Sequence, residues 1–153
     1  MERIGKGLLA GLAATIVLSA LMVMKSMMGI MPELDLPKML AAMMGSPGQP
    51  GLGWGVHFMI GVVGYGVLMA LLDEPLPGDS GTAHGMLIAF AGWLVMMIVL
   101  MPMTGAGFFA MKLGMMAPVM TLALHLVFGA VLGWTYGKLH HGAIAVGDMG
   151  MLR

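Results

Sequence analysis

Charged side chains vanish from this chain for long stretches. None occurs in residues 7–24, 51–72, 80–111 or 113–137, and each run is dominated by Leu, Val, Ile, Met, Ala and Gly. A helix needs about 20 apolar residues to cross a bilayer, so the pattern predicts four transmembrane helices over residues 7–31, 52–72, 85–103 and 118–137. The first is carried past Lys25 because a lysine near a helix end can extend its ammonium to the headgroups. Pro102 is expected to cut the third, since proline removes a helical hydrogen bond and clashes with the preceding turn. Pro118 suits the first turn of the fourth. The expected fold class is all-α: an integral membrane four-helix bundle forming one transmembrane domain.

The pattern also repeats. His57-Phe-Met-Ile-Gly61 in the second helix matches His125-Leu-Val-Phe-Gly129 in the fourth. The first helix opens on the small-residue ladder Gly7/Gly11, the third on Gly81/Gly85/Ala89, and each is expected to be stopped by a proline, Pro32 or Pro102. From Pro32 to His57 is 25 residues and from Pro102 to His125 is 23. The reading is two repeated helical hairpins related by a pseudo-two-fold axis along the membrane normal, with a short half-helix after each proline. The first half-helix, about 36–44, has Asp35 as N-cap, Pro37 in its first turn and Gly45 at its end. The second is expected over about 106–116. Helices in lipid associate by close backbone contact at small residues, which makes Gly7, Gly11, Gly61, Gly64, Gly85, Gly129, Gly133 and Gly137 the candidate packing positions.

Composition agrees with the pattern and narrows the chemistry. Of 153 residues, 59% are hydrophobic and 9% charged, with mean hydropathy +0.97. Soluble domains carry about 25% charged residues. Seven bases balance seven acids, so there is no basic field to attract nucleic acid. The chain has no cysteine, which removes disulfides, thiol catalysis and iron–sulfur clusters. Arg3, Lys6, Lys138 and Arg153 would share one side of the membrane, against Lys25, Lys38 and Lys112 on the other. That bias favours N-in/C-in. The first helix lacks a small-x-small cleavage site and reads as retained. Asp73, Glu74 and Asp79 then fall in an inner loop that reads as a solvated turn around Pro75, Pro77 and Gly78.

Two sets of residues carry candidate chemistry. His57 and His125 lie at similar depth near the outer ends of the two repeat-related helices. A matched pair could ligate haem b from both sides, with neighbouring glycines making room for the macrocycle. It could equally hold a metal or hydrogen-bond a quinone, or each ring could satisfy a buried carbonyl. His84 starts the third helix without a symmetry-related partner, and His140 and His141 fall in the C-terminal tail. The chain has 22 methionines, and sixteen map to the side that holds His57 and His125. Thioether sulfur selects Cu(I), giving a candidate copper set of His57, His125, Met24, Met28, Met97 and Met101. The competing reading is that Met supplies an adaptable packing or partner surface. Hydrolase triads, phosphate loops, HExxH pairs and intramembrane carboxylate pairs are absent from the sequence, and no carboxylate lies mid-span to relay ions.

Gly53-Trp-Gly-Val-His57-Phe-x-Ile-Gly61 together with His125-Leu-Val-Phe-Gly129-x-x-x-Gly133-x-x-Tyr136-Gly137 resembles domain of unknown function 6789, a family of small prokaryotic four-helix membrane proteins. The Leu34-Asp35-Leu36 segment fits the same pattern. The resemblance covers about residues 5–138 and implies a multi-pass protein of the prokaryotic cytoplasmic membrane, with no activity attached. The functional expectation is a non-catalytic accessory or structural subunit of a larger membrane complex, respiratory or otherwise energy-transducing. It would pack through Gly- and Met-rich faces against other subunits or a second copy of itself. The alternative is a haem b- or copper-binding protein using His57 and His125.

Overall fold

Four helices are long and apolar enough to cross a membrane: Glu2–Met27, Pro50–Leu72, Gly81–Met103 and Met116–His140. They are called here the first to fourth spans. The computed structural model describes the backbone of residues 2–150 and the side chains of residues 2–140; Arg153 and the side chain of His141 lie outside the described residues. No strand occurs among the described residues, and the chain is an all-α, multi-pass membrane bundle. The third and fourth spans pack along most of their length, and the first packs on both the second and the fourth.

Each hairpin closes through glycines set backbone against backbone. In the first hairpin, a methyl group added at Gly11 would lie 2.7 Å from the carbonyl oxygen of Gly61, and one at Gly66 would lie 2.6 Å from that of Gly7. In the second, a methyl at Gly129 would meet the Gly85 carbonyl at 2.5 Å, and one at Gly133 would run into that of Gly81. Gly61 faces Thr15 as Gly129 faces Ala89. The duplication is therefore one of contacts as well as of letters. Gly7, Gly11 and Thr15 correspond to Gly81, Gly85 and Ala89, 74 residues on in each case.

The second and fourth spans match with one residue to spare. Gly61 and Gly66 are five residues apart, whereas their counterparts Gly129 and Gly133 are four apart. The second span takes up the extra residue in a π-helical stretch, Met59–Tyr65. A π-turn inside an α-helix accommodates a single inserted residue, so Gly66 still faces Gly7 and the pairing register survives. The same shift turns Gly64 away: an added Cβ there meets nothing within 4 Å. Gly137, also expected on a packed face, is equally open around its own Cβ position. Gly7, Gly11, Gly61, Gly85, Gly129 and Gly133 are in backbone contact, together with Gly66 and Gly81.

Both prolines act differently from the sequence expectation. Pro102 does not cut the third span. The turn before it, Met96–Leu100, is π-helical, a widening that makes room where proline leaves a carbonyl without its donor. The first span ends at Met27, well before Pro32. Gly29, at φ +66°, is the stop, because the left-handed turn that closes a helix is open to a residue without a Cβ. The connecting helix that follows, Leu36–Met43, is capped by Asp35, whose side chain accepts from the Lys38 amide at 3.1 Å. The second connecting segment is tighter, a 3-10 stretch over Phe108–Leu113 with Phe109 and Ala110 at positive φ.

One core cluster joins the hairpins through Ala10, Ala14, Leu18, Met69, Ile88, Phe128, Leu132 and Tyr136. Tyr65 meets Phe128 edge-on at 4.9 Å, and its ring end presses on Gly92 of the third span. A second cluster, around Trp93, Met97, Met101 and Ala117, lies toward the end of the bundle far from the N-terminus.

Candidate functional site

The polar side chains divide between the two ends of the bundle. At the N-terminal end they tie the helices to the turn between the second and third spans. His84 Nδ1 lies 2.9 Å from Asp73 Oδ1 and its Nε2 lies 3.3 Å from the Pro77 carbonyl. Arg3 pairs with Glu74 at 3.0 Å and donates to the Ala70 carbonyl at 3.0 Å. The turn read from sequence as solvated is thus pinned by two of its three acids, one to each neighbouring helix. His84 has no histidine at the repeat-related position, Ala10, and pairs instead with Asp73. Such pairs hold a loop in register on the helix ends.

At the far end the helices enclose a cavity of about 320 Å³. Its walls come from the first span, the connecting helix with the loop before it, the start of the second span, the end of the third and the start of the fourth. Most of the lining is apolar, with Leu18, Met22, Met96, Met101 and Leu124 among it. Lys25, Ser26, Asp35, Lys38, Trp54, Thr121 and His125 supply the polar groups. A mostly apolar chamber with a few fixed polar groups is the usual form of a small-molecule site.

Local sequence explains how these groups are held. Lys25 sits one turn above the glycine stop of the first helix, so its ammonium reaches the loop beyond and donates to the carbonyls of Met31 at 3.0 Å and Leu34 at 2.7 Å. The sequence expectation had this lysine reaching for headgroups; it instead closes its own loop. Asp35 caps the connecting helix and pairs with Lys38 at 2.8 Å. Thr121 links the spans, accepting from the Trp93 indole at 3.1 Å while donating back to the Ala117 carbonyl at 2.8 Å. One turn later, His125 Nδ1 bonds the Thr121 carbonyl at 2.8 Å.

His57 and His125 occupy different environments. His125 lines the cavity. His57 is buried, its Nε2 3.3 Å from the Ser19 hydroxyl and its ring edge-on to Trp54 at 5.6 Å and Phe58 at 5.9 Å, and it is not among the cavity walls. The glycines one turn further on are both closed, Gly61 by the Thr15 side chain and Gly129 by the Gly85 carbonyl. Of the methionines proposed with them, Met24 and Met28 are exposed, Met97 is fully buried in the second cluster, and Met101 reaches the cavity. Met22 and Met96 line it as well. No group of three or more His, Asp or Glu side chains arranged to hold a metal occurs among the described residues.

Lys25, Trp54 and Thr121 are the cavity residues that sequence reasoning passed over. A lone lysine within an apolar run was the available signal for the first. The Trp93–Thr121 contact joins two spans 28 residues apart and has no sequence signature.

Comparison with known proteins adds one finding. A family model described as "Family of unknown function (DUF6789)" matches residues 1–144. No curated protein and no solved structure matches the chain.

Proposed function

Since the chain belongs to the DUF6789 family, whose function is unknown, we propose from its own geometry that it is a non-catalytic accessory subunit of a larger membrane complex. The observation that carries this reading is where its exposed apolar side chains lie. On the crossing helices exposure needs no partner, because lipid tails cover those faces. The connecting segments at the far end lie beyond the helices, yet Met28 is 66% exposed, Phe108 65% and Met115 76%. Met44 and Met111 are also more than half exposed. Large exposed apolar side chains gathered on the connecting segments mark a candidate interaction site, and methionine adapts to irregular partners.

Gly7, Gly11, Gly61, Gly66, Gly81, Gly85, Gly129 and Gly133 are used within the hairpins, and the exposed methionines of the connecting segments offer a surface to a neighbour. The reading has these segments facing the outer side of a prokaryotic cytoplasmic membrane. The sequence count of four bases (Arg3, Lys6, Lys138 and Arg153) against three (Lys25, Lys38 and Lys112) supports that orientation.

Purification in a mild detergent tests the proposal. The expected result is a stoichiometric complex with a larger membrane protein, lost in Phe108→Lys and Met115→Lys variants that keep the thermal midpoint of the intact chain. A native mass equal to that of the chain alone, unchanged by both substitutions, overturns it. A homo-oligomer lost in the same variants replaces the larger partner with a second copy.

A further inference from the structure

Among the polar groups that line the cavity at the far end, His125 and Lys25 are each fixed by backbone carbonyls. A backbone carbonyl can only accept, so the bond from His125 to Thr121 at 2.8 Å places the proton on Nδ1. The neutral ring then offers Nε2 as an acceptor. The Lys25 ammonium has three N–H groups; two are given to the carbonyls of Met31 and Leu34, which leaves one to donate. Val23 and Met27, which line the cavity, are also exposed on the outer surface of the first span. The wall they form therefore reaches the surface of the first span.

We propose that this cavity binds a membrane-soluble quinol. One ring hydroxyl donates to His125 Nε2, the oxygen at the other end of the ring accepts from Lys25, and the apolar tail leaves past Val23 and Met27 into the lipid. The volume of about 320 Å³ suits a single ring with the start of its tail, at the small end of the usual range for ligand pockets. A phospholipid phosphate brings acceptors only, which answers Lys25 and leaves His125 unmatched. A soft metal ion would take Nε2 and the thioethers of Met96 and Met101, but it would sit in the same chamber as the Lys25 charge. The oxidised quinone also lacks a donor for His125, so the site favours the reduced form. This inference concerns binding alone and stands independently of the accessory-subunit reading.

The test is anaerobic calorimetry on the full chain in phosphatidylcholine nanodiscs, titrated with a short-chain benzoquinol and with the matching benzoquinone. The expected result is saturable one-to-one quinol binding, with the quinone weaker by about fivefold or more, as follows from one unmade hydrogen bond. His125→Ala should weaken quinol binding about tenfold and remove the preference for the reduced form. Val23→Trp, at a half-exposed position, should obstruct the path of the tail and weaken both forms without disturbing the fold. If His125→Ala does not fold, the redox preference of the unaltered chain and the Val23→Trp result decide. No quinol binding above empty nanodiscs, equal affinity for the two forms, or one equivalent of Cu(I) bound in place of quinol would each overturn the proposal.

Discussion

Gly66 lies so close to Gly7 across the first hairpin that a Cβ at Gly66 would stand 2.6 Å from the Gly7 carbonyl oxygen. Backbone cannot move aside as a side-chain tip can, so the contact sets a strict size limit. Gly66→Ala and Gly129→Ala are each expected to cost about 1–3 kcal/mol through forced separation of the helices. Gly64→Ala and Gly137→Ala, with open space around the added methyl, should be near neutral or slightly stabilising. Unfolding midpoints in a fixed detergent, compared across the four variants, check the ranking; equal losses at all four sites would contradict it.

The π-helical stretch makes a different prediction. If Met59–Tyr65 holds one inserted residue, deleting the half-exposed Val63 should let the segment relax to α-helix with both glycine contacts kept. The variant should fold and purify like the intact chain. Deleting Val131, between Gly129 and Gly133 in the fourth span, removes a residue from a regular helix and rotates one glycine off its partner. That protein should fail to accumulate. Yield and a monodisperse elution profile separate the two cases.

At the N-terminal end, the His84–Asp73 pair should hold the turn over residues 73–80. Both His84 ring nitrogens face acceptors, and hydrogen bonds to a charged partner contribute about 1.5–3 kcal/mol. His84→Phe is expected to lose most of that and to expose the turn. Protease cleavage between residues 74 and 80 should quicken, while the far end of the bundle stays protected. Unchanged cleavage would show that the prolines alone fix the turn.

Within the bundle, the Trp93–Thr121 hydrogen bond joins the third and fourth spans in a buried setting. Interhelical bonds in membranes contribute about 0.6–2 kcal/mol. A double-mutant cycle on Trp93→Phe and Thr121→Val should return a coupling energy in that range; zero coupling would assign Thr121 solely to its own helix, where it already bonds the Ala117 carbonyl.

Much of this architecture was legible in the residues. Spans announce themselves because lipid removes the charges, and the His-x-x-x-Gly step marked the repeat because both copies kept it. The glycine partners were harder to see. Gly64 looked as good as Gly66 on an ideal helical wheel, and only a π-turn decides between them. Its signature was present as a spacing of five in one copy against four in the other, a misfit inside an otherwise regular repeat. The stop at Gly29 was hidden by the nearby Pro32, the more familiar breaker. At the cavity, His125 was visible as an intramembrane polar group; that it lines the cavity and His57 does not depends on how each ring turns, which a sequence does not show. Lys25 was explained away as a headgroup anchor because sequence does not show the loop carbonyls that fold back to meet it.

The glycine crossings bear on how the protein comes into being. Where main chain rests on main chain, no side chain at the joint has to give up rotamers, so each hairpin can close as soon as its second helix has entered the membrane. The first pair of helices carries all its own joining surface, Gly7 and Gly11 against Gly61 and Gly66, and need not wait for the other pair to be synthesised. A chain built this way can be cut in two: residues 1–76 and 77–153, made as separate polypeptides, should each form a hairpin and then find one another through Leu18, Tyr65, Phe128 and Leu132.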